Sequence, residues 1–173
     1  MEEGLRALLF AVRKELKPDY VLIDSRAGLH DVAGLSLHRL AHVDVLVSRG
    51  SEQGYRGLDV TLGALAQRKG AAGLEPIVVH SMVETAGLPV AIAEESEFKT
   101  RLYNAFVRHV YGGRMTIPEG EPGPHIPTVI RRDLRLERFA SLAAIERAFF
   151  ELGYEELSAQ AWLDLLESTL DRG

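Results

Sequence analysis

Short apolar runs alternate along this sequence with stretches in which apolar residues recur at helical spacing. The runs lie at residues 20–23, 43–47, 77–79 and 126–130, and helical stripes occupy residues 5–16, 58–66 and 94–111. A run that is apolar on both faces is typical of a strand buried within a parallel sheet. The alternation therefore predicts an α/β fold, with a mainly parallel sheet and helices on both faces.

Size and composition narrow the class of protein further. The 173 residues are 46% hydrophobic, which predicts a single domain over residues 1–173 with a Pro/Gly-rich loop at 112–127 and additional helices at 35–41, 136–152 and 154–170. The chain has no cysteine, so disulfides, thiolate metal sites and a cysteine nucleophile are excluded.

Charge and hydropathy bear on location and partners. No apolar run approaches the roughly 20 residues that a membrane span requires, and the first residues are acidic where a secretory signal is basic, so we expect a cytoplasmic protein. The net charge of -5 indicates no general attraction to nucleic acid or to an anionic membrane.

The residues after each apolar run are the first candidates for a site, because parallel sheets bind ligands at the carboxyl ends of their strands. Asp24 follows the run at 20–23, and a turn containing Ser25 and Gly28 comes next. A carboxylate in this position can hold Mg²⁺ or its water shell, and a glycine lets the backbone approach a phosphate. The alternative is that Asp24 only caps the turn.

The segment Asp24-Ser25-Arg26-Ala27-Gly28-Leu29 resembles the Walker B and switch II segment of the ParA/MinD-type P-loop ATPases, the CobQ/CobB/MinD/ParA nucleotide-binding domain. Most members carry proline where Arg26 stands, and arginine there is similar to a branch with a variant Lys-Gly-Gly-Val-Gly-Arg-type loop. Weaker likenesses extend over residues 18–140, at 43–54, 77–81 and 127–136. His80 and Ser81 stand where the family often has a base-reading asparagine.

This resemblance implies the later part of an incomplete, P-loop NTPase-like (Rossmann-like) three-layer domain. By family likeness ATP and Mg²⁺ are the cofactors, Asp24 is the catalytic and metal-binding residue, and the nucleotide contacts are Ser25, Gly28, Arg131 and Asp133. The family's Lys-Gly-Gly-rich phosphate loop does not occur in this sequence, whose one Gly-Gly pair, at 112–113, follows a predicted helix as a stop.

The absence of the phosphate loop from this sequence implies that another polypeptide segment supplies it. The resemblance predicts an ATPase that is inactive alone and is completed by an N-terminal segment or protein bearing the phosphate loop, with homodimerisation as a family habit. In the family the strand before that loop lies beside the Asp24 strand, so a separate polypeptide, a truncated reading frame and a rearranged sheet all remain open.

Three other interpretations remain. The first is a catalytically silent dimerisation or docking module that retains the architecture. The second is an unrelated hydrolase that uses His30 and Asp24. A further alternative is a metal site instead of a solvated helix face for one group of side chains, which comprises His30, Asp31, His38, His42 and Asp44. The third concerns a cluster of four arginines that could contact phosphate, DNA or an acidic partner. The alternative is that they form a surface ion-pair network. The cluster comprises Arg131, Arg132, Arg135 and Arg138.

Overall fold

The computed structural model describes residues 2–24, 41–69, 76–84, 87–112 and 117–132, together with 141, 143–144 and 147. The predicted helices at 35–41, 136–152 and 154–170 lie largely outside these residues. The described elements are, in order, α1 (Glu2–Leu16), β1 (Val45–Ser48), α2 (Glu52–Lys69), β2 (Ile77–Val83), α3 (Pro89–His109) and β3 (Thr128–Arg131).

The three strands form one parallel sheet in the order β1-β2-β3. Val45 lies opposite Ile77 in the first pair, and Val79 lies opposite Thr128 in the second. Parallel neighbours need a crossover connection, and α2 and α3 connect the successive strands. The predicted α/β class with a parallel sheet is therefore confirmed, and the runs at 43–47, 77–79 and 126–130 each contain or overlap a strand.

The core lies between the sheet and the two crossover helices. Leu46 and Val78 share one face of the sheet, and α2 and α3 pack on that face through side chains that include Leu62, Phe98 and Phe106. Phe98 and Phe106 are fully buried on α3, at the helical spacing that the sequence predicts. The described crossover helices thus cover one face of the sheet, whereas the prediction placed helices on both.

The predicted loop begins near the end of α3 and is anchored by partly buried hydrogen bonds to that helix and to the residues just after it. His125 Nδ1 accepts a hydrogen bond of 2.8 Å from the Tyr111 hydroxyl, while His125 Nε2 donates to the carbonyl of Glu119 at 3.3 Å. The Tyr103 hydroxyl also donates to the carbonyl of Ile117 at 3.2 Å. These contacts fix the path of the chain into β3.

Residues 20–23 do not form the buried strand that their apolar sequence predicts. The segment is irregular and exposed, and Leu22 is 95% exposed. A β-strand exists only through hydrogen bonds to a neighbour, and the described sheet contains no strand paired with this segment. The prediction that Asp24 lies at the carboxyl end of a strand is therefore wrong for this structure.

Helix α1 forms as predicted, but much of its apolar stripe is exposed. The helix ends before Pro18, with Lys17 in the left-handed conformation at φ 47°. Leu8, Phe10 and Leu16 are all more than half exposed, with Leu16 at 73%. Among the described residues, no helix has the length and apolar character to cross a membrane.

Candidate functional site

The carboxyl ends of the three strands gather polar side chains at one edge of the sheet. Ser48 ends β1 opposite His80 of β2, and the Ser81 hydroxyl donates a hydrogen bond of 3.1 Å to the carbonyl of Ser48. Arg131 ends β3 opposite Val83. We call this group, with Gly50, Ser51, Glu94 and Glu95, the carboxyl-edge site.

The start of α2 lies directly above the end of β1. Ser51 is the N-cap of the helix, because its hydroxyl accepts a 3.1 Å hydrogen bond from the N–H of Gly54. A side chain at position 54 would collide with the carbonyl of Arg49 and the hydroxyl of Ser48. Glycine at this position thus lets the first turn of the helix approach the strand end closely.

His80 is completely buried, although it is a polar residue in the middle of the sheet. Its ring stacks on Phe98 with the centroids 3.8 Å apart and the planes 9° apart. Nε2 lies 3.4 Å from Glu94 Oε1, and neither ring nitrogen has a well-aligned hydrogen bond. Burial lowers the pKa of His80, and the nearby Glu94 carboxylate opposes this effect without cancelling it. The imidazole is therefore neutral at neutral pH.

Glu94 joins His80 to the loop between β1 and α2. A Cβ on Gly50 would come within 2.5 Å of Glu94 Oε1, so the carboxylate rests against the backbone of this loop. The same side chain faces His80 from the second turn of α3. One carboxylate thus contacts both the loop after β1 and the middle of β2.

Arg131 is held in place by the neighbouring strand and by α3. Its guanidinium donates to the carbonyl of Glu84 at 2.9 Å and forms an ion pair of 2.9 Å with Glu95. Arg132 lies 3.9 Å from the Glu84 carboxylate. The ion pairs of these two arginines agree with the ion-pair interpretation of the basic cluster, and the acids involved are Glu84, just after β2, and Glu95 of α3.

The central strand is irregular where it reaches this site. Met82 has a φ of 62°, a conformation rare for a residue with a side chain, and the register with β3 shifts between Ser81 and Val83. The shift is that of a β-bulge, which bends a strand and redirects its side chains. It brings the Glu84 carbonyl within reach of Arg131.

Of the two predicted site residues that the structure describes, Asp24 and Arg131, only Arg131 lies at the carboxyl edge. Asp24 is exposed in the irregular segment after residue 23, and Ser25, Gly28 and Asp133 lie outside the described residues. Of the histidine and aspartate group, His42 is exposed and Asp44 is buried at the amino end of β1. Nowhere in the described ranges do three potential metal-binding side chains cluster.

A separate groove of about 400 Å³ lies between α2 and α3 on the outer side. Arg101 stacks over the Tyr55 ring at 4.4 Å and forms ion pairs with Glu52 at 2.7 Å and with Glu97 at 2.9 Å. Burial, with a smaller contribution from Glu97, raises the pKa of Tyr55. None of the predicted site residues lines this groove, and both of its lining acids, Glu52 and Asp59, form ion pairs with arginines.

The carboxyl-edge site can bind and position a polar ligand, but it contains no activated nucleophile within the described residues. The Ser48 hydroxyl donates to the carbonyl of Arg49, the Ser81 hydroxyl donates to Ser48, and neither bonds to His80. Sequence reasoning missed the pairing of His80 with Glu94. A histidine directly after Ile77-Val78-Val79 was the available signal, because a polar residue in a buried strand requires a partner.

No protein-family model matches this sequence, and no curated protein or solved structure shows significant similarity to it.

Proposed function

We propose that this chain is the later part of a nucleotide-binding switch of the ParA/MinD type, completed by a polypeptide segment that carries a phosphate loop. In the completed protein, Mg²⁺ and ATP bind at the carboxyl edge of the sheet, and Asp24 holds the metal or its water shell. The observation that carries the proposal is the apolar surface left open on α1 and on residues 20–23.

The order of α1 and residues 20–23 along the chain, together with their exposed apolar side chains, supports the proposal that a neighbouring strand is missing. An amphipathic helix followed by a segment that is apolar on both faces is the second half of a β-α-β crossover. In such a unit the helix buries its stripe on the sheet, whereas Leu8 and Leu16 are mostly exposed here. A strand that pairs with residues 20–23 would complete the crossover and turn Asp24 into a strand-end residue.

The polar side chains of the carboxyl-edge site support the proposal that a ligand binds beyond the carboxyl ends of the strands. Open parallel sheets bind nucleotides beyond the carboxyl ends of their strands, and the phosphates rest on backbone N–H groups at a helix N-terminus. Arg131 stands at this edge in the segment that resembles the family's base-side loop. The phosphate loop, absent from the sequence, is the part that the completing segment supplies.

A silent docking module is the second candidate, and specific contacts favour it. Arg131 is engaged by Glu95 and by the carbonyl of Glu84, so contact with a nucleotide requires it to leave them. The buried His80 also occupies the position of a base-reading side chain without reaching the surface. A module of this kind binds the completing segment and does not bind ATP.

Titration calorimetry with Mg²⁺ and ATP distinguishes the two candidates. We expect no binding to the chain alone, because one carboxylate cannot replace the N–H donors of a phosphate loop. After addition of the completing segment, the switch binds ATP with a micromolar dissociation constant, whereas the silent module does not. Micromolar, Mg²⁺-dependent binding by the chain alone would show that the nucleotide site lies within residues 1–173.

The role of Asp24 is tested in the completed protein by Asp24→Ala, with Asp19→Ala as the matched control. Both aspartates are exposed, and they stand at opposite ends of the same segment. Loss of metal positioning should lower kcat for ATP hydrolysis by at least about a hundredfold in Asp24→Ala. Asp19→Ala should leave kcat unchanged, and an Asp24→Ala variant with normal turnover would refute the assignment.

A further inference from the structure

Two ion pairs cross the groove between α2 and α3 and divide it into a defined gap. Glu52 of α2 pairs with Arg101 of α3 at 2.7 Å, and Asp59 pairs with Arg108 at 2.6 Å. The two partners on each helix are seven residues apart and follow the same order, so the helices run parallel. At the rise of an α-helix, the ion pairs stand about 10 Å apart along the groove.

Apolar side chains form the floor of this gap. Leu58, Leu102 and Ala105 line the groove, and each of them is buried. The Tyr55 ring lies beside the first ion pair, with Arg101 Cζ 4.4 Å from the ring centre. Because the floor belongs to the packed core, the groove is already formed before a ligand enters it.

Two polar side chains of the groove have no partner among the described residues. Arg56 of α2 and Asn104 of α3 both line the groove and are exposed, and the side chain of neither forms a hydrogen bond or an ion pair there. Both carry N–H donors, and Arg56 is positively charged. The two acids that line the groove already pair with other arginines, so the charge of Arg56 is not balanced by them.

The unbalanced charge selects an anionic ligand, and the open walls select an elongated one. A carboxylate accepts charge-assisted hydrogen bonds from a guanidinium, whereas a cation would meet three arginines in this groove. The side chains of Arg101 and Arg108 are 41% and 62% exposed. Such walls do not enclose a small molecule, whose binding sites typically bury about 70–90% of its surface. A polypeptide segment can instead lie along the gap.

Other anionic occupants fit these features less well. A free phosphate ion can reach Arg56 and Asn104, but it leaves the apolar floor of the groove uncovered. A second copy of this chain, related by a twofold axis, would place the same surface on both sides of the contact. The arginines of one groove would then face those of the other.

We propose that the groove between α2 and α3 binds an acidic segment of a partner polypeptide. One carboxylate of this segment lies between the two ion pairs and accepts hydrogen bonds from Arg56 and Asn104. The proposal depends on the described part of these two helices and does not rest on the function proposed above.

A nuclear magnetic resonance titration of the whole chain with a peptide of eight glutamates tests the proposal. We expect saturable shifts of the Asn104 side-chain amide and of the backbone amides around Arg56, and no shifts with a peptide of eight glutamines. Raising the salt concentration from about 50 mM to about 500 mM should weaken the binding about tenfold or more, because exposed charges are screened.

Three results of this titration would overturn the proposal. The first is the absence of shifts at Asn104 and around Arg56 with the glutamate peptide. The second is saturation of the same signals by inorganic phosphate at least as tightly as by the peptide, which would make the groove a simple anion site. The third is a dependence of these signals on the concentration of the chain alone, which would assign the groove to a second copy.

Variants separate the groove from general attraction between charges. Arg56→Gln should weaken binding of the glutamate peptide about tenfold or more, because the charge-assisted hydrogen bonds are lost. Arg56→Lys keeps the charge without the planar fork and should have a smaller effect. Arg13→Gln is the matched control, since Arg13 is an exposed arginine on α1, and it should change the affinity less than about twofold. Equal effects of Arg56→Gln and Arg13→Gln would overturn the proposal.

Discussion

The burial of His80 shows how a single residue couples this fold to pH. The ring has no exposed surface, stacks on Phe98 and faces Glu94 without a well-aligned hydrogen bond. The charged groups that act on it are Glu94 and Glu95 of α3, which favour its protonation, and Arg131 of β3, which opposes it. Since burial outweighs these effects, its pKa in the folded protein lies below that of an exposed histidine.

The free energy of unfolding should therefore fall as the pH drops below about 6.5, where the unfolded chain takes up a proton that the folded chain excludes. One such group makes the stability change by up to about 1.4 kcal/mol per pH unit, until the pH reaches the folded-state pKa. Urea unfolding of wild type and His80→Phe between pH 5 and pH 7.5 measures this slope. The variant keeps an aromatic ring and should lose the His80 part of the slope, so equal slopes would contradict the argument.

The contacts within the carboxyl-edge site could not be predicted from the sequence. Arg131 was predicted as a nucleotide contact from the family resemblance, but its acceptors, Glu95 and the carbonyl of Glu84, lie 36 and 47 positions away in the sequence. Such contacts depend on how the strands are ordered and on the bulge at Met82. Neither feature has a local sequence signal.

Among the elements, α2 depends most on a close approach between helix and strand. Its first turn is capped by Ser51 and lies against the end of β1 because position 54 has no side chain. Gly57, one turn further on, has no atom within 4 Å of the place a Cβ would take. The two glycines therefore offer a matched pair of substitutions in one helix.

Gly54→Ala should lower the free energy of unfolding by about 1–3 kcal/mol, because the new methyl group meets the backbone of Arg49, which cannot move without shifting the strand end. Gly57→Ala should raise it by about 0.5–1 kcal/mol, since alanine costs less conformational entropy in a helix. Urea unfolding of the two variants provides the measurement. A stabilised Gly54→Ala variant would mean that the first turn of α2 lies further from β1.

The apolar runs were predicted correctly as strands where a neighbouring strand lies within the described residues. The runs at 43–47, 77–79 and 126–130 contain or overlap strands that pair with one another, and the predicted helices at 5–16, 58–66 and 94–111 form with longer boundaries or a similar extent. The run at 20–23 has an equally apolar sequence and remains irregular. The local sequence pattern indicates a preference for the extended conformation, but a β-strand also requires a neighbouring strand with which to form hydrogen bonds.

On the scale of the whole molecule, the apolar residues divide into a packed group and an open group. Leu62 is fully buried between α2, α3 and the sheet, whereas Leu22 is 95% exposed. Residues of the first group stabilise the isolated chain. Residues of the second group stay in contact with water, so they contribute little to that stability.

Leu22→Asp should therefore change the free energy of unfolding of the isolated chain by less than about 0.5 kcal/mol, as surface substitutions usually do. Leu62→Ala should lower it by about 2–5 kcal/mol through loss of contacts and a cavity. Urea unfolding measures both, and co-purification with the phosphate-loop segment should fail for Leu22→Asp alone. A large loss of stability in isolated Leu22→Asp would show that Leu22 is buried within the chain itself.

The chain order of the sheet has a consequence for the sequence of folding events. Each strand pairs with the strand that comes next along the chain, β1 with β2 and β2 with β3, through one intervening helix. Contacts between such successive units close shorter loops than contacts that skip a unit, so they form early. Residues 45–131 can therefore assemble before anything pairs with the outer edge of β1. If the sheet gains a further strand from a separate chain, as the proposed function requires, that pairing is the last step and its rate depends on the concentration of the second chain.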